Sequence, residues 1–212
     1  MIKKYKNTII ITSLLTLVPV LIGLLMWNQL PEQVPIHFNI QGEADDYSGK
    51  AFAVFGLPFM MLIFHLICCF ASSLDPKGKN YTDKMMKIVL GICPALSILL
   101  CSSVYLIAIG KGIRIGFIIS LFEGILFIIV GNYLPKCKQT YTMGIKLPWT
   151  LNDEENWNKT HRLAGKLWVL GGVIICATAV MENFFVMITI ALLMCIIPTV
   201  YSYSLFKNKN KQ

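Results

Sequence analysis

Charged side chains are scarce in this sequence, and their scarcity excludes an ordinary soluble domain. Only 14% of the 212 residues are charged, while 56% are hydrophobic and the mean hydropathy is +0.65. Soluble domains carry about 25% charged residues and a smaller apolar share. The protein is therefore predicted to be an integral membrane protein, with the lipid bilayer as its surroundings.

Cysteine is present, but not in the patterns that disulfide-rich or metal-binding proteins use. Only Cys137 lies in a polar segment. The other six lie within apolar runs, where cysteine behaves as a small hydrophobic residue: Cys68, Cys69, Cys93, Cys101, Cys176 and Cys195. The cysteines therefore indicate no disulfide framework, no metal cluster and no redox pair.

Motifs that would indicate an enzyme are also missing. The sequence has no His-Glu-x-x-His, no Gly-x-Ser-x-Gly and no Gly-rich phosphate loop. The net charge of +8 does not indicate a nucleic-acid partner, because the basic residues lie between apolar runs instead of along one amphipathic face. No catalytic residues and no cofactor are expected.

Long apolar runs dominate what is present, and a run of about 20 residues is enough to cross a bilayer. Six runs qualify: Thr8–Trp27, Ala51–Leu74, Lys87–Ile109, Ile115–Gly131, Leu163–Met181 and Phe184–Phe206. The first run follows three lysines, as a signal peptide would, but it is too long and lacks a small-residue cleavage site. The predicted fold is all-α, a polytopic membrane protein with six transmembrane helices.

The basic residues predict the orientation, since cytoplasmic loops of membrane proteins are enriched in lysine and arginine. With a cytoplasmic N-terminus, all but three of the 19 basic residues lie on the cytoplasmic side. The exceptions are Lys50, Lys111 and Arg114. Both termini are therefore predicted to be cytoplasmic.

Two long loops divide the predicted fold into two regions. Residues 1–74 hold the first two transmembrane helices and an acidic extracellular loop, residues 28–50. Residues 75–212 hold four transmembrane helices and a cytoplasmic loop, residues 132–166, which we call the polar segment.

The polar segment is predicted to contain a helix that continues into the fifth transmembrane run. Thr150 is the predicted N-cap, with Asp153 three residues later as in a capping box. Trp157, His161, Ala164 and Trp168 recur at helical spacing and share one face. We expect this helix to lie along the headgroup layer.

Three tryptophans, Trp149, Trp157 and Trp168, are the predicted interfacial anchors of this helix. A membrane-surface anchor and a docking site for a partner protein both fit this pattern, and the two roles are compatible.

The run from Gly131 to Gly172 contains a pattern of glycine, aromatic and polar residues at Gly131, Asn132, Gly144, Ile145, Pro148, Trp149, Thr150, Trp157, Thr160, His161, Arg162 and Gly165. This pattern resembles the hallmark of the SdpI family of bacterial immunity proteins. Lys146 replaces the family's usual arginine, which keeps the charge but loses the bidentate fork.

The acidic loop resembles a small domain of unknown function that often accompanies this family. Its pattern is filled by Leu30, Pro31, Pro35, His37, Phe38, Asn39, Gly42 and Lys50.

The resemblance implies a multi-pass protein of the bacterial cell membrane that gives resistance to a secreted, membrane-active peptide toxin. It also implies a second role as a receptor that recruits a cytosolic transcriptional repressor. The residues expected to dock that partner are Lys146, Pro148, Trp149, Thr150, Trp157, Thr160, His161 and Arg162.

The acidic loop is the expected contact for the extracellular ligand, because its charge would attract a cationic peptide. The candidate residues are His37, Phe38, Asn39, Glu43, Asp45 and Asp46. A cation or metal site at His37 is a weaker interpretation, because the spacing fits no standard ligand motif. A solvated, turn-rich cap over the helix ends is a further alternative.

Two ionisable residues lie near the middle of transmembrane runs, His65 in the second and Glu123 in the fourth. A charge at that depth is costly, so such residues are functional candidates. A small proton-coupled transporter or permease using both residues is the alternative function, and toxin contact is another role. A hydrogen bond that holds the helix bundle together is the structural interpretation, which would also suit a purely structural or regulatory membrane subunit.

Overall fold

A computed structural model describes residues 2–209, and six helical segments within it are long and apolar enough to cross a membrane. They are Ile2–Leu25, Phe52–Ser73, Asp83–Ala108, Ile115–Lys136, Glu154–Met181 and Phe184–Lys209. The predicted all-α membrane fold with six transmembrane helices is confirmed. The ends of the two predicted regions, residue 1 and residues 210–212 with the basic Lys211, lie outside the described residues.

Prolines interrupt or start several of these helices, because proline lacks a backbone donor and its ring clashes with the preceding turn. The first span is two helices, α1 (Ile2–Thr16) and α2 (Val18–Leu25), with Pro19 in the first turn of α2. The second span opens with a π-helical turn, Phe52–Gly56, and continues as α3 (Leu57–Ser73).

The later helices are longer than predicted. α4 (Asp83–Ala108) and α5 (Ile115–Tyr133) are followed by a short α6 (Pro148–Asn152). α7 (Glu154–Thr178) and α8 (Phe184–Lys209) complete the chain. α7 begins nine residues before the predicted start of its span, because its polar first turns and its apolar part form one continuous helix.

The acidic loop is a β-hairpin, where the sequence had indicated a turn-rich loop. Strands β1 (Gln33–Phe38) and β2 (Ala44–Gly49) pair antiparallel, with register shifts next to His37. The turn is closed by Asn39, whose Oδ1 accepts hydrogen bonds from the backbone N–H groups of Gln41 and Glu43, both at 3.0 Å. Alternating apolar residues of β1 provide the strand pattern, which the Pro- and Asp-rich composition obscured.

The chain forms two compact units. The first consists of Met1–Leu74 with Met86–Ile115, and the second of Asp75–Met85 with Gly116–Gln212. The third span therefore groups mainly with the first two, whereas the predicted regions placed it with the last three.

The core of the first unit joins the hairpin to its helices. Val34 of β1 is fully buried against Val54 and Tyr105. The Tyr105 hydroxyl donates to the carbonyl of Ala53 at 3.2 Å. Because the base of the hairpin is packed into this core, the strands are held to the helices by apolar burial as well as by the chain.

The core of the second unit is a close crossing of α5 and α7. A Cβ on Gly172 would lie 2.5 Å from the Gly124 carbonyl oxygen, and one on Gly165 would lie 2.7 Å from that of Gly131. Small residues at membrane helix contacts let the backbones approach closely. On another side of α7, α8 packs along it, and the Trp168 indole donates to the Met194 carbonyl at 3.0 Å.

Candidate functional site

The polar segment starts its helix at a different cap from the predicted one. Pro148 begins α6, which puts Thr150 inside that helix; its Oγ1 accepts from the backbone N–H of Leu147 at 2.9 Å. Asp153 is the N-cap of α7, accepting from the backbone N–H groups of Glu155 (2.9 Å) and Asn156 (3.2 Å). The prediction of Thr150 as N-cap was wrong, because a proline at the first helical position moves the start of the helix upstream.

Trp157 lies in the interior of the second unit. Its side chain is completely buried, its Nε1 donates to the Cys137 carbonyl at 2.7 Å, and its ring stacks on His161 with centroids 4.0 Å apart. The predicted role of Trp157 as an interfacial anchor was therefore wrong. A face that repeats aromatic residues at helical spacing fits a protein core as well as a membrane surface, and sequence spacing does not distinguish them.

Trp149 and Trp168 keep part of their rings exposed. Each indole N–H nevertheless donates within the protein, Trp149 to the Ser202 hydroxyl at 2.8 Å and Trp168 to α8 as described above. Trp149 also stacks on Phe206 and meets Tyr203 edge-on, with centroid distances of 5.7 Å and 5.4 Å. This aromatic cluster ties α6 to the end of α8.

His161 organises the turn that precedes α6. Its Nε2 accepts from the backbone N–H of Ile145 at 2.9 Å, and its Nδ1 is 2.8 Å from the Trp157 carbonyl. Because a backbone N–H only donates and a carbonyl only accepts, the ring carries its proton on Nδ1 and is neutral. Gly144 is required beside it: its φ is +104°, and a Cβ there would lie 2.6 Å from Nε2 of His161.

Asp75 is a central residue that the sequence analysis missed. Its Oδ2 accepts from the Tyr81 hydroxyl (2.7 Å), the backbone N–H groups of Tyr141 (2.9 Å) and Thr142 (3.0 Å), and the Thr142 hydroxyl (2.9 Å). Its Oδ1 accepts from the backbone N–H of Lys77 at 2.8 Å. The carboxylate thus joins the segment after α3 to the polar segment. One feature of the sequence pointed to Asp75: it directly follows the apolar run that ends at Leu74, in a stretch whose other charged residues are mostly lysines.

Electrostatics keep this carboxylate charged. Burial alone would raise the pKa of Asp75, but the hydrogen bonds from Tyr81, Lys77, Thr142 and Tyr141 outweigh it and hold the pKa below its usual value. Burial, and next the neighbouring carboxylate, raise the pKa of Tyr81 to about 12, so its hydroxyl stays a donor; this hydroxyl also contacts that of Thr142. The Asp75 carboxylate is therefore a negative charge held in place by its hydrogen-bond donors, in a stretch of sequence whose charged residues are mostly basic.

A second polar network fastens α7 to α8. The Asn156 side chain donates to the Ser202 carbonyl at 2.9 Å and accepts from the Ser202 hydroxyl at 2.7 Å. Thr160 donates to the same Asn156 oxygen at 3.0 Å. At the end of this interface, Lys209 pairs with the N-cap Asp153 at 2.9 Å. Four hallmark residues, Thr150, Trp157, Thr160 and His161, therefore belong to the hydrogen-bonded framework of the polar segment.

The residues expected to dock a partner fall into two groups. Thr150, Trp157, Thr160 and His161 are buried and hold the loop together. Lys146, Pro148 and Arg162 are exposed, and Trp149 is partly exposed. Only this second group, which we call the exposed rim, is accessible to another protein.

The structure brings the acidic residues of the hairpin onto its surface. Glu43, Asp45 and Asp46 are exposed, and His37 Nδ1 lies 2.6 Å from Asp45 Oδ1. Phe38 faces inward and packs against the core of the first unit, while Asn39 closes the turn. Of the six predicted ligand contacts, these two are structural in the folded hairpin.

The two intramembrane residues have different surroundings. His65 on α3 is buried, and its Nε2 is 3.0 Å from the Thr12 hydroxyl of α1, which joins the two helices. Glu123 on α5 is half-buried, and within residues 2–209 its carboxylate has no hydrogen-bond partner. His65 thus has a hydrogen-bond partner on a neighbouring helix, whereas the predicted roles of His65 and Glu123 stay predictions.

Comparison with known proteins adds a relationship over nearly the whole chain. Residues 136–202 match the SdpI/YfhL protein family, and residues 14–62 match a domain of unknown function (DUF1648). The immunity protein SdpI of Bacillus subtilis (strain 168) is 30% identical over 204 residues, covering 95% of this chain and 97% of that protein. No solved structure matches. The first match covers the polar segment from Lys136 onward, and the second covers the hairpin.

Proposed function

This chain belongs to the SdpI/YfhL protein family, and on that premise we propose that it protects a bacterium from a secreted, membrane-active peptide. The observation that carries the proposal is the similarity to an immunity protein over 95% of the chain, hairpin and polar segment included. The protein acts in the cell membrane as a multi-pass, non-enzymatic protein. Its termini are cytoplasmic, as the distribution of basic residues indicates.

The hairpin is the part of the protein that meets the peptide. With both termini in the cytoplasm, the hairpin lies outside the cell. Glu43, Asp45 and Asp46 are exposed on it, and Lys50, its basic residue, is paired with Glu32 at 2.7 Å. The surface potential is therefore negative, which speeds the encounter with a cationic ligand and selects against anionic ones.

A signalling role would use the exposed rim. The rim lies on a loop that Asp75, Trp157 and His161 hold in one conformation through the hydrogen bonds described above. A preformed surface loses less conformational entropy on binding than a flexible loop does. The rim is basic, through Lys146 and Arg162, and so suits an acidic patch on a cytosolic repressor.

Proton-coupled transport is the second candidate, and it is favoured by the Glu123 carboxylate, which has no hydrogen-bond partner among residues 2–209. An ionisable group inside a membrane span is costly and often marks a proton or substrate path. His65 fits this role less well, because it already has a partner in Thr12.

Survival of a sensitive bacterium tests the immunity proposal. The chain is expressed in a strain that the peptides secreted by the source bacterium kill, and survival is compared with an empty vector and with a variant lacking residues 33–49. We expect protection from the full chain and little from the deletion variant at equal protein abundance. Killing that is the same with and without the full chain would contradict the proposal.

A further inference from the structure

The crossing of α5 and α7 leaves a groove that neither immunity nor signalling explains. Gly131 and Gly165 form its closed side: a Cβ on Gly131 would lie 2.8 Å from the Cβ of Trp168 and 3.1 Å from the Gly165 carbonyl oxygen. The backbones therefore almost touch, and the missing side chains leave an open groove of ≈ 460 Å³ beside the contact. These glycines, with Asn132, belong to the hallmark that the proposed function leaves without a role.

The groove is apolar along most of its length. Val169, Leu170 and Val173 line it on α7, and the side chains of Leu170 and Val173 are 58% and 50% exposed. From Lys166 to Val173 the helix rises about 10 Å, which is most of one leaflet of a hydrocarbon core about 30 Å thick. The groove therefore offers an apolar surface along most of the length of an acyl chain in one leaflet.

One end of the groove is polar and positively charged. Lys166 and Asn132 line it there, and none of the described residues that line the groove is acidic. Arg162 lies one turn before Lys166 on the same face of α7 and is exposed. Lys136, also exposed, directly follows the lining residue Pro135. Lys166 and Asn132 thus line the polar end of the groove, and Arg162 and Lys136 lie one turn and one residue away from lining residues.

We propose that this groove is a binding site for an anionic phospholipid. The phosphate is held by Lys166 and the Asn132 side-chain amide, while one acyl chain lies along Val169, Leu170 and Val173. Basic pockets between transmembrane helices bind acidic lipid headgroups in this way. Lys166 lies inside α7, where the apolar part of the helix begins, and a lysine there extends its ammonium group toward the headgroup layer while its methylene groups stay in the apolar region.

The positive charge at its polar end distinguishes this groove from an apolar surface that contacts any membrane lipid. The first unit has a second groove of ≈ 540 Å³ along α1 and α2, lined by apolar residues such as Ile11, Leu14, Leu21 and Phe59. Such a surface accepts any acyl chain and has nothing to select a headgroup. A docked protein helix fits the α5–α7 groove poorly, because eight residues line the groove, whereas a stable protein–protein interface uses about 20–30 residues on each side.

Native mass spectrometry of the purified full-length protein tests the headgroup. Phosphatidylglycerol and phosphatidylcholine with identical acyl chains are titrated, each against the wild type and the Lys166→Ala variant. Lys84→Ala is the matched control, since Lys84 is an exposed lysine of the same unit outside the groove. We expect preferential retention of phosphatidylglycerol and a loss of about fivefold in its affinity in Lys166→Ala, the effect of one cation near an anionic headgroup.

Three outcomes of this titration would overturn the proposal. The first is equal retention of both lipids by the wild type, and the second is an equal loss in Lys84→Ala and Lys166→Ala, which would show general surface charge. The third is displacement of the lipid by millimolar inorganic phosphate, which would show a site for the phosphate group alone.

The acyl-chain part of the site is tested by filling the groove. Val173→Trp places a large ring in the groove, and Ile174→Trp places the same ring on a neighbouring exposed position of α7 outside it. We expect Val173→Trp to lose most bound lipid and Ile174→Trp to keep it, with both proteins unfolding at the same temperature. Leu170→Phe provides a second groove-filling variant if Val173→Trp does not fold. Full retention in the folded groove-filling variant would overturn the assignment.

Discussion

Nε2 of His161 accepts a hydrogen bond from the backbone N–H of Ile145 at 2.9 Å, which fixes the turn before α6 against α7. Sixteen positions separate the two residues, and the contact depends on the left-handed Gly144 beside them. We call this hydrogen bond the junction. Because it holds the turn before α6 against α7, its removal should disturb the whole polar segment.

His161→Ala should destabilise the protein strongly. The substitution leaves the partly buried N–H of Ile145 without its acceptor and opens a cavity beneath the Trp157 ring, at a cost of about 2–4 kcal/mol in unfolding free energy. Thermal unfolding in detergent measures the effect. Arg162→Ala is the control on the adjacent exposed position and should unfold with the wild type; a similar loss in both would show that the junction is not specific.

Asp75→Asn should remove an acid-sensitive part of the stability. Folding lowers the pKa of Asp75 from its usual 3.8, so its charge stabilises the protein above that pH and the stabilisation is lost as the pH falls through the lower folded value. Asparagine keeps the shape but replaces one acceptor oxygen by an NH2 donor, which faces the backbone N–H of Lys77 in one orientation and those of Tyr141 and Thr142 in the other. We expect a lower unfolding temperature at pH 7 and a difference from the wild type that shrinks toward pH 2.

Glu154→Gln is the matched control for this acid titration, because Glu154 is exposed on the polar segment. It should follow the wild-type pH profile. A constant difference between Asp75→Asn and the wild type over the whole pH range would show that shape, and not charge, carries the effect.

Arg162→Ala and Lys146→Ala should reduce repressor recruitment without lowering protein abundance. Both side chains are exposed on the rim, so their loss removes binding groups and leaves the fold unchanged. Trp157→Ala should lower abundance together with recruitment, because it removes a buried ring and its bond to Cys137. Membrane localisation of a fluorescent repressor, with immunoblots, separates the two; full recruitment by the Arg162/Lys146 double variant would exclude the rim.

Neutralising the hairpin acids should weaken protection. Glu43→Gln with Asp45→Asn and Asp46→Asn removes three exposed charges, which lowers the encounter rate with a cationic peptide severalfold at low salt. Survival curves and peptide binding to membrane vesicles measure this. Glu154→Gln with Glu155→Gln neutralises acids on the polar segment instead, and a comparable loss of protection there would contradict a specific role of the hairpin.

Glu123→Gln separates immunity from proton-coupled transport. Glutamine fills the same space but carries no proton to exchange, so transport would be lost, while protection through the hairpin would remain. Survival and proton uptake into proteoliposomes are measured on the same variant. Thr12→Val is a control that removes the hydroxyl beside His65 and should reduce stability without affecting proton uptake.

The charge of a residue and its helical spacing differed in how well they predicted whether a site residue is exposed or buried. The exposed character of Lys146 and Arg162 agreed with expectation, since charged side chains rarely lie buried. Trp157 and His161 were placed on a membrane surface, yet they are buried, because helical spacing shows that residues share a face but not what covers that face. Asp75 gave little signal, because Tyr141 and Thr142, the partners in the polar segment, lie more than sixty positions away.

By itself, the sequence determined that this is a membrane protein with six spans. The length and the composition of an apolar run are local properties, and they decide whether the run can cross a bilayer. The helix ends near prolines also follow from local sterics. Only the tertiary structure decided which side of α7 is core, that the acidic loop pairs as a hairpin, and that Gly131 and Gly165 bring two helices close enough to leave a groove. Each of these depends on contacts between distant parts of the chain, whose energies no single stretch of sequence contains.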